Sequence, residues 1–310
     1  MAVTSSTNWN NGVVDLRTLT VQSILFENDR EIIERAAEAT ANSVWVAKTS
    51  GLISDWTLAL GDCGNAATLD QPAIERIRAA VESRGGTLIH EKFGENLGHG
   101  GGHNRLAPLT ESDLLLFLNP DAVLAPNTIQ SLVEAMAETV GVVDGRQLPL
   151  EHPKDFDEIT GETSWASGAC SLTSRQAFRA VSGFDQETFF LYCDDVDYSW
   201  RLKLAGFSVL HQPSARVFHD KRLQLTGGII ASSAETYYSA EAGLLLAYKY
   251  SRFEIVTAIL SSFRSSSEEH LLRAAGEFTR LRSIGSLPAP LDPDHTVGQF
   301  INGNYAVHRY

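Results

Sequence analysis

The amino-acid sequence predicts an α/β protein, with a mostly parallel sheet flanked by helices and a helical appendage at the carboxyl end. Two observations support this fold class. In the first half, short apolar runs alternate with segments whose apolar residues recur at helical spacing, which is typical of βαβ units. After residue 236 the pattern is helical throughout, with segments at 237–251, 253–263 and 268–281.

Composition limits the kinds of partner. The 310 residues carry a formal net charge of −13, which argues against nucleic acid as a partner. Three cysteines without metal-ligand spacing fit a reducing compartment. The first residues lack the cationic and apolar regions of a signal peptide, and no uncharged apolar run approaches the ~20 residues of a membrane span. We therefore expect a cytoplasmic protein with at most peripheral contact with the inner face of a membrane.

The first three predicted strands are the apolar runs at 21–26, 56–60 and 87–90. A helix follows each of the first two, and the second helix has start signals at Asp70 and Pro72. Ligands of parallel sheets bind outside the carboxyl ends of the strands, which places Glu27, Asn28 and Asp62 at the binding edge. By its spacing alone, Asp62 fits a turn carboxylate that accepts local backbone N–H bonds as well as it fits a ligand-binding residue.

Residues 95–104 read ENLGHGGGHN and contain four glycines. Glycines let a backbone approach a ligand closely. The G-x-G-x-x-G pattern and a P-loop lysine are both absent, so phosphate binding does not follow from the glycines alone. The segment is either a loop that approaches a ligand closely or a flexible surface loop.

A continuous apolar run at 113–118 predicts a strand that is buried on both faces. It delivers Asn119, Pro120 and Asp121 to the binding edge. The alternative is that Asn-Pro-Asp is only a turn before the helix predicted at 127–137.

The most informative stretch extends from Phe189 to Asp220. Asp194, Asp195 and Asp197 precede a helical pattern that ends at Gly206, and two strand-like runs follow. Acidic residues at a helix N-terminus can serve only as caps and dipole partners. Crowded carboxylates also shift one another's pKa, which suits a general base.

This stretch resembles the second half of the family 2 glycosyltransferases, inverting enzymes of GT-A fold, and especially their bacterial rhamnosyltransferase-like branch. That branch reads roughly G-F-D-E-x-F-F-x-Y-x-E-D-V-D-x-x-x-R-x-x-x-x-G, followed by a strand that ends in His. The matching residues are Gly183, Phe184, Asp185, Phe189, Phe190, Tyr192, Asp194, Asp195, Val196, Asp197, Arg201, Gly206 and His219. Asp194 replaces the usual Glu, and the resemblance covers roughly residues 21–250.

The resemblance implies a role for each candidate residue. Asp195, helped by Asp194, would be the catalytic base, and Asp121 and His219 would hold Mn²⁺ or Mg²⁺. The implied nucleotide and donor-sugar residues are Phe26, Glu27, Asn28, Asp62, Asn96, Gly98, Asn104, Asn119, Asp121, Trp165 and Gly168. The implied acceptor residues are Tyr192, Asp194 and Trp200. Trp165 is alternatively a core residue. Phe26-Glu27-Asn28 and Cys63 depart from the T-Y-N motif and the Asn that the family usually has.

The resemblance also implies an activity. The protein would move a sugar, rhamnose as first choice, from a nucleoside-diphosphate sugar such as dTDP-rhamnose or a UDP-sugar to a hydroxyl of a glycan or lipid-linked acceptor. Cell-wall or polysaccharide biosynthesis would be the setting. The alternatives are a nucleotidyltransferase of related fold and a non-catalytic glycan-binding or scaffold protein.

We expect three parts in the chain: an extension at 1–19, a Rossmann-like GT-A catalytic domain at 20–225 with a nucleotide half at 20–121 and an acceptor half at 122–225, and a helical region at 226–310. Residues 151–163 are polar and predict a mobile loop over the site. In the helical region, Leu271, Leu272 and Phe278 form an apolar stripe. That stripe predicts a homodimer or packing against the catalytic domain.

Overall fold

The computed structural model describes residues 16–64, 66–151, 154–219 and 232–305. Its strands are β1 (Arg17–Leu25), β2 (Ile53–Asp62), β3 (Gly86–Lys92), β4 (Leu114–Leu118), β5 (Ala122–Leu124), β6 (Val140–Leu148), β7 (Cys170–Ser174) and β8 (Ser208–His219). Its α-helices are α1 (Arg30–Thr49), α2 (Gln71–Glu82), α3 (Gly98–Leu106), α4 (Thr128–Ala135), α5 (Arg175–Ala180), α6 (Asp194–Leu204), α7 (Ser233–Lys249), α8 (Phe253–Arg264) and α9 (Glu269–Ser283).

The eight strands form one mixed sheet in the order β3-β2-β1-β4-β7-β6-β8-β5. Strands β1 to β4 run parallel, as predicted, so their carboxyl ends share one edge. Strand β7 is inserted antiparallel between β4 and β6, and its first residue, Cys170, pairs with Leu118 at the end of β4. The residues just before β7 therefore lie beside the residues just after β4.

Local signals explain the first helices. Helix α1 begins after Asp29, whose carboxylate accepts the Glu31 N–H, and α2 begins after Asp70, which accepts the Ala73 N–H. Each carboxylate satisfies a backbone donor that the first helical turn leaves unpaired. The start that the sequence predicts for α2 is confirmed.

Several elements differ from the sequence prediction. Strands β5 and β6 and helices α3 and α5 were not predicted. The two strand-like runs after Gly206 form one strand, β8, with a register shift opposite Gly145 and Arg146. In the predicted loop at 151–163, Glu162 bridges to Leu210 of β8, so part of that segment is anchored to the sheet.

The helical region packs on α6 rather than standing apart. The Trp200 ring of α6 lies 4.7 Å from the Tyr250 ring and 5.4 Å from the Phe300 ring. Phe278 of the apolar stripe is 2% exposed in the same cluster, whereas Leu272 is 44% exposed. Leu271 is half-buried, so the chain itself covers only part of the stripe. The homodimer stays a prediction.

The most apolar stretch of the helical region, at 243–263, is broken between α7 and α8. Within the described ranges, every helix is too short or too polar to cross a membrane.

A buried ionic cluster joins α6 to α7. The Lys249 ammonium lies 2.6 Å from carboxylate oxygens of both Asp185 and Asp197. Asp197 also accepts from Arg201 Nε at 2.7 Å and from the Tyr250 hydroxyl at 3.1 Å. Lys249 is 5% exposed and Asp197 is fully buried. Asp197, the third carboxylate of the acidic triplet Asp194, Asp195 and Asp197, is therefore structural.

We expect Lys249→Met to lower the free energy of unfolding by up to about 3–5 kcal/mol, because it removes the cation beside Asp185 and leaves the buried Asp197 carboxylate with Arg201 alone as its cation. Urea denaturation measures the change. Arg280→Met is the matched control, since Arg280 pairs with Glu277 on the exposed surface of α9, and it should leave the urea midpoint nearly unchanged. Equal effects of the two substitutions would contradict the role assigned to Lys249.

Candidate active site

Two predicted metal ligands lie together at the carboxyl edge of the sheet. Ala122, at the start of β5, pairs with His219 at the end of β8. This pairing places Asp121 beside His219, with its Oδ1 3.3 Å from Nε2. Asp121 retains 37% side-chain exposure and His219 only 12%. A partly open carboxylate beside a nearly buried imidazole results.

Hydrogen bonds orient the His219 ring. Gln147 donates from Nε2 to Ser167 Oγ at 2.8 Å, which turns its Oε1 toward His219 Nδ1 at 3.2 Å. In the tautomer in which Nδ1 donates to Gln147, the lone pair of Nε2 faces Asp121. Asn119 Nδ2 also lies 3.4 Å from Nε2. An imidazole lone pair held in this way beside a carboxylate fits a divalent cation.

The protein alone supplies few ligands for that cation. No group of three or more His, Cys, Asp and Glu side chains in the described ranges is arranged to hold a metal ion. Mg²⁺ and Mn²⁺ prefer six oxygen or nitrogen ligands and often take several from water and substrate phosphate. Asp121 and His219 therefore fit a cation whose shell a diphosphate completes.

The carboxylates of the acidic triplet lie in three environments. Asp197 belongs to the buried ionic cluster. Asp194 is 3% exposed, and its Oδ2 lies 2.6 Å from Nδ1 of His99. Asp195 is half-buried and accepts the Gly168 N–H at 3.0 Å. Of the three, Asp195 is the one best placed to contact a ligand.

The segment Ser167-Gly168-Ala169 connects Asp195 to the Asp121–His219 pair. Ser167 Oγ accepts from Gln147, which contacts His219, and the Gly168 N–H donates to Asp195. This short backbone segment thus connects the Asp195 carboxylate with the Asp121–His219 pair.

Sequence reasoning missed the residues beneath this segment. Asp144 of β6 is 1% exposed and accepts the Ser167 N–H at 2.7 Å. Burial alone would raise the pKa of Asp144, but Lys154 and His211 outweigh it, so the pKa is lowered. The signal was available, because a charged residue in the apolar run of β6 needs a buried partner.

Two other predicted donor residues, Asn96 and Asn104, form hydrogen bonds within the protein. Asn96 accepts the Gly98 N–H at 3.1 Å, and Asn104 both donates to Phe184 O at 2.8 Å and accepts from its N–H at 2.9 Å. The glycine-rich segment is mostly helix α3 and not a loop. Its asparagines fix the turn before α3 and the chain before α6, and their assignment as donor ligands stays a prediction.

Gly98 has a packing role, and its predicted donor role stays a prediction. Its φ of +68° lies in the left-handed region, and a Cβ there would lie 2.1 Å from Phe190 O. The residue is therefore required where α3 meets the segment before α6. Gly168 is similarly crowded, because a Cβ there would lie 2.8 Å from Cε1 of His99.

Both predicted tryptophans lie in the core. Trp200 is fully buried, which corrects its assignment to acceptor binding: ring contacts with α7 and the carboxyl-terminal segment cover it. Trp165 is 4% exposed, with the Lys154 ammonium 4.4 Å from its ring centre and the Tyr305 ring 6.0 Å away. The alternative of a core role for Trp165 therefore describes its position. Tyr192 is half-buried at a turn with φ of +65°, and its acceptor role stays a prediction.

At the nucleotide edge, Asp62 forms the local turn that the sequence left open. It is 1% exposed and accepts from Gly64 N at 2.9 Å and from Thr68 N and Oγ1 at 2.8 Å. Phe26 and Glu27 are exposed just after β1. Asn28 accepts the Phe26 N–H at 2.8 Å. Contact of these residues with a nucleotide stays a prediction.

We expect Gly98→Ala to destabilise the protein much more than Gly94→Ala. Both glycines have positive φ, but a Cβ at Gly94 meets nothing within 4 Å. Gly94→Ala should cost the ~1–2 kcal/mol of a left-handed residue. Gly98→Ala adds a steric penalty of ~1–3 kcal/mol or more. Thermal and urea unfolding measure the difference, and equal losses would contradict the packing role of Gly98.

Comparisons with known proteins bear on the family and the fold. No family model matches the sequence. The N-acetylglucosaminyl-diphospho-decaprenol L-rhamnosyltransferase of Mycobacterium tuberculosis is 31% identical over 176 residues, which cover 41% of this chain and 57% of that protein. The Escherichia coli K12 rhamnosyltransferase WbbL is 24% identical over 140 residues, which cover 35% and 53%. The chain thus matches little more than half the length of these relatives.

Solved structures give the fold. The mannosyltransferase PcManGT from Pyrobaculum calidifontis, in complex with GDP-Man and Mn²⁺, aligns with a TM-score of 0.56 and 16% identity over 88% of this chain and 77% of that one. GalNAc-T7 with UDP, GalNAc and Mn²⁺ aligns with a TM-score of 0.59 and 12% identity over 89% and 55%. The predicted fold and resemblance are confirmed: the chain has the GT-A fold and is similar in sequence to bacterial rhamnosyltransferases over 35–41% of its length.

Proposed function

We propose that the chain is an inverting glycosyltransferase that moves a sugar from a nucleoside-diphosphate sugar to a hydroxyl of a glycan or lipid-linked acceptor. dTDP-rhamnose is the first choice of donor and a UDP-sugar the second. One observation carries the proposal: residues 167–169 hold the half-buried carboxylate of Asp195 and the Asp121–His219 pair in one hydrogen-bonded arrangement. The relatives support the choice of sugar, because both are named rhamnosyltransferases.

The arrangement suits a single displacement. Asp195 takes the proton of the acceptor hydroxyl while the oxygen forms a bond to the anomeric carbon. The bond from that carbon to the diphosphate oxygen breaks on the opposite face, so the anomeric configuration inverts and the diphosphate leaves with the bonding pair. A divalent cation held by Asp121 and His219 would supply Lewis-acid neutralisation of the diphosphate charge.

A panel of sugar nucleotides tests the proposal. The protein is incubated with Mn²⁺ and dTDP-rhamnose, UDP-sugars, GDP-mannose or a nucleoside triphosphate with a sugar phosphate, and slow donor hydrolysis is followed. Release of nucleoside diphosphate supports a glycosyltransferase. Release of pyrophosphate would identify a nucleotidyltransferase instead. Absence of both reactions and of any thermal stabilisation by nucleotides would favour the non-catalytic alternative.

We expect Asp195→Asn to lower turnover by ~10²-fold or more, because the amide cannot accept the hydroxyl proton. Donor affinity, measured by calorimetry, should change little. Asp55→Asn is the matched control, since Asp55 lies near the amino-terminal end of β2, away from the proposed edge. If Asp194→Asn abolishes turnover while Asp195→Asn retains it, the base has been assigned to the wrong carboxylate.

We expect Asp121→Ala and His219→Ala each to weaken nucleoside-diphosphate binding in the presence of Mn²⁺, because each removes one proposed ligand of the cation. Calorimetry with Mn²⁺ and with EDTA measures the effect. His270→Ala, on the partly exposed surface of α9, should behave as wild type. Equally strong binding of the wild-type protein in EDTA would remove the cation from the proposal.

A further inference from the structure

His99 is a residue of the site that the function above leaves without a role. It is the second residue of α3, and its side chain is 20% exposed. Its Nδ1 lies 2.6 Å from Asp194 Oδ2, and the backbone of Gly168 forms a further hydrogen bond with the ring. Both contacts favour a ring that carries two protons.

These contacts complete a hydrogen-bond network around Asp195. Asp194 and Asp195 are consecutive at the start of α6, and Asp195 Oδ2 accepts the Gly168 N–H at 3.0 Å. His99 joins the other carboxylate, Asp194, to the same glycine. The orientation of the Asp195 carboxylate therefore depends on α3, α6 and the 167–169 segment together.

The charges in this network favour the protonated, cationic form of His99. Burial alone would lower the pKa of His99, but Asp194 and then Asp195 outweigh it, so the pKa is raised above its ordinary value. His103, on the same helix, has its ring centre 4.7 Å away. Burial and the His99 charge hold the pKa of His103 well below its ordinary value, so it remains neutral. The packed Phe184 ring and Gly168 add no charged side chain.

Two adjacent carboxylates in a partly buried site repel each other, and without a nearby cation one of them tends to take up a proton. We propose that His99 is a positioning residue for the base: its imidazolium keeps Asp195 ionised beside Asp194 and holds Gly168 against Asp195. This inference rests on the proposed role of Asp195 as the base.

The pH dependence of kcat/KM tests this role. In His99→Gln the cation is lost, so the pKa that governs the acid limb rises by ~1 unit or more. Activity should then fall ~10-fold or more at pH values below the new limb and recover at high pH, with the KM for donor little changed. In the double variant with His99→Gln and Asp194→Asn, the repelling carboxylate is also gone, and the acid limb should return toward that of the wild type.

A merely structural His99 predicts a different result: both variants lose activity at every pH, and the double variant is no better than the single. An acid limb that His99→Gln leaves in place, in a protein whose Asp195→Asn variant is inactive, would overturn the inference and leave the proposed function intact.

A second measurement does not need activity. NMR titration of the imidazole signals, with His99→Gln to assign them, should give His99 a pKa above the ordinary value of ~6.5. Asp194→Asn should lower it. A His99 pKa at or below the ordinary value would overturn the inference, whether or not the wild-type protein transfers a sugar.

Discussion

The hydrogen bonds of the Ser167-Gly168-Ala169 backbone are the constraint on which the rest of the site depends. Asp144 anchors the segment from below by accepting the Ser167 N–H. A carboxylate that is 1% exposed persists there because Lys154 and His211 pair with it. Removing one partner of such a group costs more than the contact itself contributes, since the remaining charge stays buried. The position of Asp195 is thereby tied to an ionic cluster in the core of the sheet.

The glycines of α3 determine how closely this helix approaches α6. A Cβ on Gly100 would lie 2.7 Å from Cβ of Phe184 and 3.2 Å from Oδ2 of Asp194. Only a helix without side chains on this face approaches α6 closely enough for His99 to reach Asp194. The motif that the sequence associated with a phosphate or donor loop thus acts through helix packing.

The apolar run of β4 predicted the position of Asp121 at the binding edge. His219 closes β8, and only the family resemblance paired it with Asp121. The charge of Asp144 indicated a buried partner, but the positions of Asp144 and Gln147 in the site could not be predicted, because their contacts depend on the antiparallel insertion of β7 and on a register shift in β8. Such long-range pairings leave no periodic trace in the chain. Trp200 was misplaced for a related reason: the segments that cover it carry no local signal for α6.

Helical geometry separates the roles of the three carboxylates. With 3.6 residues per turn, consecutive positions 194 and 195 are turned ~100° apart, so one faces α3 while the other faces Gly168. Asp197, three positions after Asp194, meets Lys249 and Arg201 in the core. The family's usual Glu at position 194 would add a methylene where α3 already approaches to contact distance. The shorter Asp194 therefore fits the close packing of α3. The same packing brings His99 into contact with Asp194, so it accounts for this departure from the motif.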